Sequence, residues 1–171
     1  MPAIPTLDTE RLTLRAPTMA DFPSFAEACA NERFRYVGGP MDARFAWGAF
    51  CRDVAQWALL GHGAWTVTER GDDAAVGQVG LSQHPYFPEL ELGWMVLDGY
   101  EGKSIAFEAA KAAKSWALHS LNPKSLVSYI HTGNARSIAL AERLGARIDP
   151  DAALPPYKDH VAYRHPIGGT L

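Results

Sequence analysis

The stretch LDGYEGKSIAFEAAKAAKSWAL, residues 97–118, opens with two glycines, Gly99 and Gly102, ahead of Lys103 and Ser104. It then runs into small residues, Ala106, Ala109, Ala110, Ala112 and Ala113, at the spacing of a buried helix face. An apolar run, LELGWMVL at 90–97, precedes it, and a second, SLVSYIHT at 125–132, follows. The reading strand, glycine turn, helix, strand makes a crossover, and a crossover joins parallel strands. Backbone N–H groups at the start of such a helix can hold a phosphate. Both standard phosphate motifs fail, however. The GKS tail is there without the leading glycine of GxxxxGK[ST], and GxGxxG is absent. An ordinary strand-to-helix turn fits these residues equally well.

Working outward, residues 90–97 carry Gly93 inside the strand, which marks a bulge or a close approach by another backbone or a ligand. Residues 64–69 and 75–83 alternate as strands on either side of the turn RGDDA. Residues 11–16 form a strand with one buried face. Residues 19–30 and 43–60 carry helical stripes, with Thr18 as N-cap of the first and Gly61 ending the second. Residues 36–42 form a loop, 134–144 a helix stopped by Gly145, and 146–149 and 160–165 short strands. The order β-α-α-β-β-β-α-β-α-β-β predicts an α+β fold: a mixed, mostly antiparallel sheet of about seven strands with helices on its faces. The turns between the middle strands are too short for crossovers, which excludes an all-parallel dinucleotide fold. With no repeat and no linker, residues 1–171 read as one domain.

Composition narrows the function classes. A net charge of −3 gives no general nucleic-acid surface. No apolar run reaches the ~20 residues that span a bilayer, and the N-terminus shows no signal-peptide pattern. Cys29 and Cys51 are the only cysteines, and without a histidine cluster they make no zinc pattern, so no metal is expected. Unpaired thiols fit a cytoplasmic location.

Five segments in order carry a resemblance: Thr9-Glu-Arg-Leu-Thr-Leu-Arg15 with Thr18 and Asp21; Gly77-Gln-Val-Gly-Leu81; Leu90-Glu-Leu-Gly-Trp94; Tyr100-Glu-Gly-Lys-Ser-Ile-Ala-Phe-Glu-Ala109; and Asn134 through Ala146. Together they resemble the GNAT superfamily of N-acetyltransferases, and within it the ribosomal-protein N-terminal acetyltransferase-like (RimJ/RimL-type) branch. The resemblance implies direct transfer of acetyl from acetyl-CoA to a primary amine, with the fourth and fifth strands splayed and the pantetheine arm lying along the fourth. On this mapping Met95, Val96 and Leu97 supply main-chain hydrogen bonds and an oxyanion site. Gly102, Lys103, Ser104, Ile105, Ala106 and Phe107 hold the pyrophosphate. Asn134 bonds the pantetheine arm and Arg136 reaches the adenosine phosphate. Glu91 is the base, with Glu89 on the same strand face and His84 as a further candidate. Ser137 is the acid, since Ala141 stands where many members carry a tyrosine.

The turn departs from the family pattern at Gly99, in place of Gln or Arg, and at Ser104, in place of glycine. Serine is expected there in ordinary helical φ/ψ, still offering its N–H. The acceptor site implied by the resemblance contains Tyr36, Trp47, His84 and Tyr86, although aromatic residues at helical spacing also serve as core. The amine is a protein N-terminus or a small molecule, and a homodimer through exposed strand edges is a further expectation. Gly99, Ser104 and Ala141 also fit a second reading, a catalytically impaired acyl-CoA-binding domain with a regulatory or interaction role. A CoA-independent interaction module is the third.

Overall fold

Leu12 and Leu14 are fully buried while Thr13 and Arg15, alternating with them, are not, and this period of two sets the first long strand of the sheet. The computed structural model describes residues 3–168. Its strands are β1 (Leu7–Asp8), β2 (Leu12–Arg15), β3 (Ala64–Glu69), β4 (Ala75–Ser82), β5 (Glu91–Val96), β6 (Val127–His131), β7 (Arg147–Asp149) and β8 (His160–Arg164). Its α-helices are α1 (Phe22–Ala30), α2 (Ala43–Leu60), α3 (Ile105–Trp116) and α4 (Ala135–Arg143). All eight strands form one sheet in the order β1-β2-β3-β4-β5-β6-β8-β7. Every pairing is antiparallel except β5 with β6.

The sheet has a core on each face. Beneath α3 lie Leu12, Trp65, Val67, Val79 and Leu92, met by Ile105, Ala109, Ala110 and Ala113 of the helix. The alanine stripe lets α3 sit close on the strands. On the other face Phe25 and Cys29 of α1 pack with Ala46, Ala49 and Phe50 of α2, and Met95 of β5 reaches into that cluster. Trp57, Trp65 and Trp116 meet edge-on at 4.7–5.5 Å between ring centroids.

β5 and β6 share a single paired position, Glu91 with Val127. The Val127 N–H donates to Leu90 O at 3.0 Å. The Ser128 hydroxyl donates to Leu92 O at 2.6 Å and lies 3.0 Å from Nε2 of the buried His165. Beyond this pin the strands part. The splay expected of the fourth and fifth strands is the gap between β5 and β6.

Three local features differ from the sequence reading. The two-residue β1 adds an edge strand. The first helix begins as a 3₁₀ turn, Met19–Asp21, because Pro23 in the first α-helical turn has no N–H to continue a ladder. α3 runs on into a π-helical turn, Ala117–Leu121. At the start of α1, Asp21 is 5% exposed and takes a bidentate pair from Arg15 at 2.8 Å, with the Thr66 hydroxyl at 2.9 Å. No helix among the described residues is long and apolar enough to cross a membrane.

Candidate active site

Four residues of α2, Ala49, Arg52, Asp53 and Gln56, fall on one helix face by their spacing. They wall a cavity of about 590 Å³. Its floor is the facing side of the sheet: Gln78, Gly80 and Ser82 of β4, Glu91, Gly93 and Met95 of β5, and Tyr129 and His131 of β6. The alternation of each strand puts these residues on the cavity side, while Leu92 and Trp94 point to α3. Tyr36, Tyr157 and His160 contribute to the rim. A Cβ on Gly93 would meet nothing within 4 Å, so this glycine opens space rather than marking contact with another part of the chain.

Burial pushes the Glu91 carboxyl up to about 8; Asp53 reinforces the shift, while the Tyr129 N–H and Arg52 oppose it. Asp53 is itself pushed up to about 6 by burial, against the pull of Arg52. Burial lowers the His84 pKa, and the charge of Arg52 lowers it further. Glu89 is occupied elsewhere. Arg164 grips it at 2.7 and 3.0 Å and holds its carboxyl below the usual range. Of the two carboxylates on this strand face, Glu91 alone lines the cavity. Burial drives the Cys29 thiol up to about 11, so this cavity-lining sulfur stays protonated and is a poor nucleophile.

Tyr36, His84, Glu91 and Met95 are thus brought together. Trp47 stands elsewhere. Two residues before Ala49, it is turned about 200° from the cavity wall, and its ring meets Phe22 edge-on at 5.0 Å. Tyr86 is 69% exposed and does not line the cavity. Ser137 lies on α4, whose Ala141 packs on Ile130 and Tyr163 at the opposite face of the sheet from Glu91. Asn134, not Ser137, caps α4 by accepting the Ser137 N–H at 3.2 Å. Sequence reasoning passed over Arg52, Asp53 and Tyr129. The signal for the first two was present, as polar residues at i+3 and i+4 from Ala49 on an apolar stripe.

The ladder also corrects the main-chain assignment on β5. The Leu97 N–H donates to Val76 O at 2.9 Å, and antiparallel alternation turns Met95 toward Gln78 of β4 in the same way. The groups facing the gap toward β6 therefore belong to Trp94 and Val96.

At the start of α3, Gly102 has φ 74° and Ser104 has φ 61°, ψ 14°. Ser104 is thus left-handed, contrary to the helical geometry expected of it. The Ser104 side chain makes no cap hydrogen bond, and among the described residues no side chain caps the first-turn N–H groups of Ile105, Ala106 and Phe107. The Arg143 guanidinium lies 3.8 Å from the Phe107 ring centroid and 3.3 Å from Ser104 Oγ. The Lys103 ammonium is 4.8 Å from the Tyr100 ring centroid. Free N–H groups, adjacent cations and open space beside Gly99 and Gly102 fit a pyrophosphate. Arg136 is exposed on the first turn of α4, and Arg143 is the arginine of α4 that touches the cradle. Ser104→Gly is expected to hold or raise the melting temperature. Relief of about 1–2 kcal/mol of left-handed strain outweighs about 0.4–1 kcal/mol of added unfolded-chain entropy. Calorimetry of CoA binding should show affinity kept or tightened; a clear loss would give the hydroxyl a role of its own.

Residues 11–147 match the family model for the acetyltransferase (GNAT) domain. An acetyltransferase from Agrobacterium tumefaciens strain C58 is 45% identical over 95% of both chains, with a TM-score of 0.92. A GNAT-family acetyltransferase from Bacillus anthracis shares the fold at 18% identity, covering 94% of this chain and 96% of its own, with a TM-score of 0.74. RimL, a ribosomal α-N-protein acetyltransferase solved with coenzyme A, does so at 13% identity, 94% and 97% coverage and a TM-score of 0.75.

Proposed function

The chain belongs to the GNAT acetyltransferase family, and from that premise we propose that it moves the acetyl group of acetyl-CoA directly to a primary amine. The observation that carries this reading is Glu91: a cavity-facing carboxyl at the mouth of the β5/β6 gap whose pKa, about 8, suits it to take a proton from an amine near neutral pH.

Acetyl-CoA, when bound, supplies a thioester carbon open to attack by a neutral amine. The chain's own residues do the rest. The first-turn N–H groups of α3, with Lys103 and Arg143, hold the pyrophosphate. The gap-facing main chain of Trp94 and Val96 takes the pantetheine arm, helped by the Asn134 side chain, and an N–H there faces the thioester oxygen. Glu91 as carboxylate accepts the amine proton while nitrogen bonds to the acyl carbon. The carbon–sulfur bond then breaks, and Ser137, reached from the α4 side of the gap, supplies a proton to the sulfur. A thiolate leaves readily near neutral pH, so this last contribution is small. The protonated Cys29 supports direct transfer rather than an acyl-enzyme. Two free cysteines accord with a cytoplasmic location.

The test follows thiol release from acetyl-CoA against a panel of small amines and peptide N-termini. Amine-dependent release is expected. A thermal shift with CoA but no release with any amine would favour the impaired acyl-CoA-binding reading instead.

A further inference from the structure

The polar groups of the cavity fall into two sets. Glu91 and Asp53 offer negative charge, and the one partner of Asp53 among the described residues is Arg52, at 3.4 Å. Arg52, His84 and Tyr129 offer donors. The Arg52 guanidinium is 53% exposed, and its one hydrogen-bond partner among the described residues is its chain neighbour Asp53. Tyr129 is 8% exposed, yet its hydroxyl has no hydrogen-bond partner among the described residues, and neither has the buried Nδ1 of His84. Buried polar atoms left unpaired are costly, and a ligand group that pairs them removes that cost. The Arg52 charge is felt at both His84 and Glu91, which places all three in one neighbourhood. Between the two unpartnered atoms stands Phe87, 3.9 Å from the His84 ring centroid and 5.5 Å from that of Tyr129, with Tyr157 at 6.0 Å.

We propose that the acceptor is a free α-amino acid with an apolar or aromatic side chain. Its amine meets Glu91 and Asp53, its carboxylate takes hydrogen bonds from Arg52 and His84, and its side chain lies on the Phe87–Tyr157 wall. This assignment rests on the acetyl-transfer reading. A carboxylate can accept from both donors and matches a guanidinium in charge and shape. A polypeptide N-terminus would bring a neutral carbonyl to the same place and leave the donors under-used. The cavity volume lies in the range of small-molecule sites.

The experiment measures thiol release from acetyl-CoA with phenylalanine, phenylalaninamide and the dipeptide phenylalanyl-glycine. The free amino acid is expected to exceed the other two in kcat/KM by about tenfold or more, the size of one charge-assisted contact. Arg52→Gln should shrink that preference by about tenfold, chiefly through KM, and Arg52→Lys should restore part of it. An amide or dipeptide used as well as the acid would overturn the assignment, as would an Arg52→Gln variant that keeps the preference. Transfer to other amines but to none of these three would overturn it alone. Release with no amine at all would overturn the acetyl-transfer reading beneath it.

Discussion

Glu91→Gln is expected to lower kcat/KM by about 10²–10⁴, the usual contribution of a positioned general base, while CoA affinity stays within about twofold of the unmodified protein. Glutamine keeps the shape of the side chain and removes only its capacity to take a proton. The pH profile is the sharper readout. With a carboxyl pushed up to about 8, activity should climb as pH rises through that value, because only the ionised form is a base. The variant should lose that limb and keep whatever titration belongs to the amine itself. Asp53, Arg52 and His84 all face the same space, so the observed midpoint belongs to the group rather than to one carboxyl. The linked stability effect has a definite sign. The folded protein holds the Glu91 proton more tightly than the unfolded chain does, so this group's contribution falls away as pH rises from about 4.5 towards 8. Glu91→Gln should flatten that decline. Unchanged activity and an unchanged profile would remove Glu91 from the mechanism.

Asp21→Ala should have the largest effect on stability. It removes the partner that the Arg15 guanidinium and the Thr66 hydroxyl share in a nearly dry place, and leaves Arg15 with Asp73 and two main-chain oxygens. With Asp73 still paired to Arg15, the loss is that of charge-assisted hydrogen bonds, about 1.5–3 kcal/mol, which for a chain of this size lowers the melting temperature by roughly 3–12 °C. Burial alone would raise the Asp21 pKa, but Arg15, the Thr18 N–H and Thr66 together hold it below its ordinary 3.8. Its stabilisation is therefore present above that pH and is lost as pH falls through the depressed folded value. Scanning calorimetry across acid pH checks both points. A small shift in the variant, or parallel acid limbs in the two proteins, would contradict this account.

Legibility in the sequence followed the strength of local pattern. Strands with one buried face, such as LTLR at 12–15, announced themselves by alternation, and the alanine stripe of α3 by helical spacing. Leu7–Asp8 is too short to carry a period, so β1 was invisible. Glu91 was found because a family-like segment surrounds it. Arg52 and Asp53 were not, because their meaning comes from α2 lying over β5, a relation between residues about forty positions apart. Tyr129 sits in the nearly all-buried strand VSYIH, where a phenol looks like packing until its hydroxyl is seen to lack a partner. Ser104 misled for a different reason. Residue type argues against a left-handed serine, and only the tertiary setting of the turn imposes one.

The lone rung between β5 and β6 also bears on where this sheet leaves its main chain unpaired. A sheet edge with unpaired donors and acceptors is normally a template on which other chains can add. Here the unpaired edges lie in the interior of the sheet, with five strands on one side of the gap, three on the other and helices above and below. A slender linear molecule can slide in beside Trp94 and Val96. The fold thus keeps the unpaired main chain of Trp94 and Val96 in the interior of the sheet rather than at its outer rim.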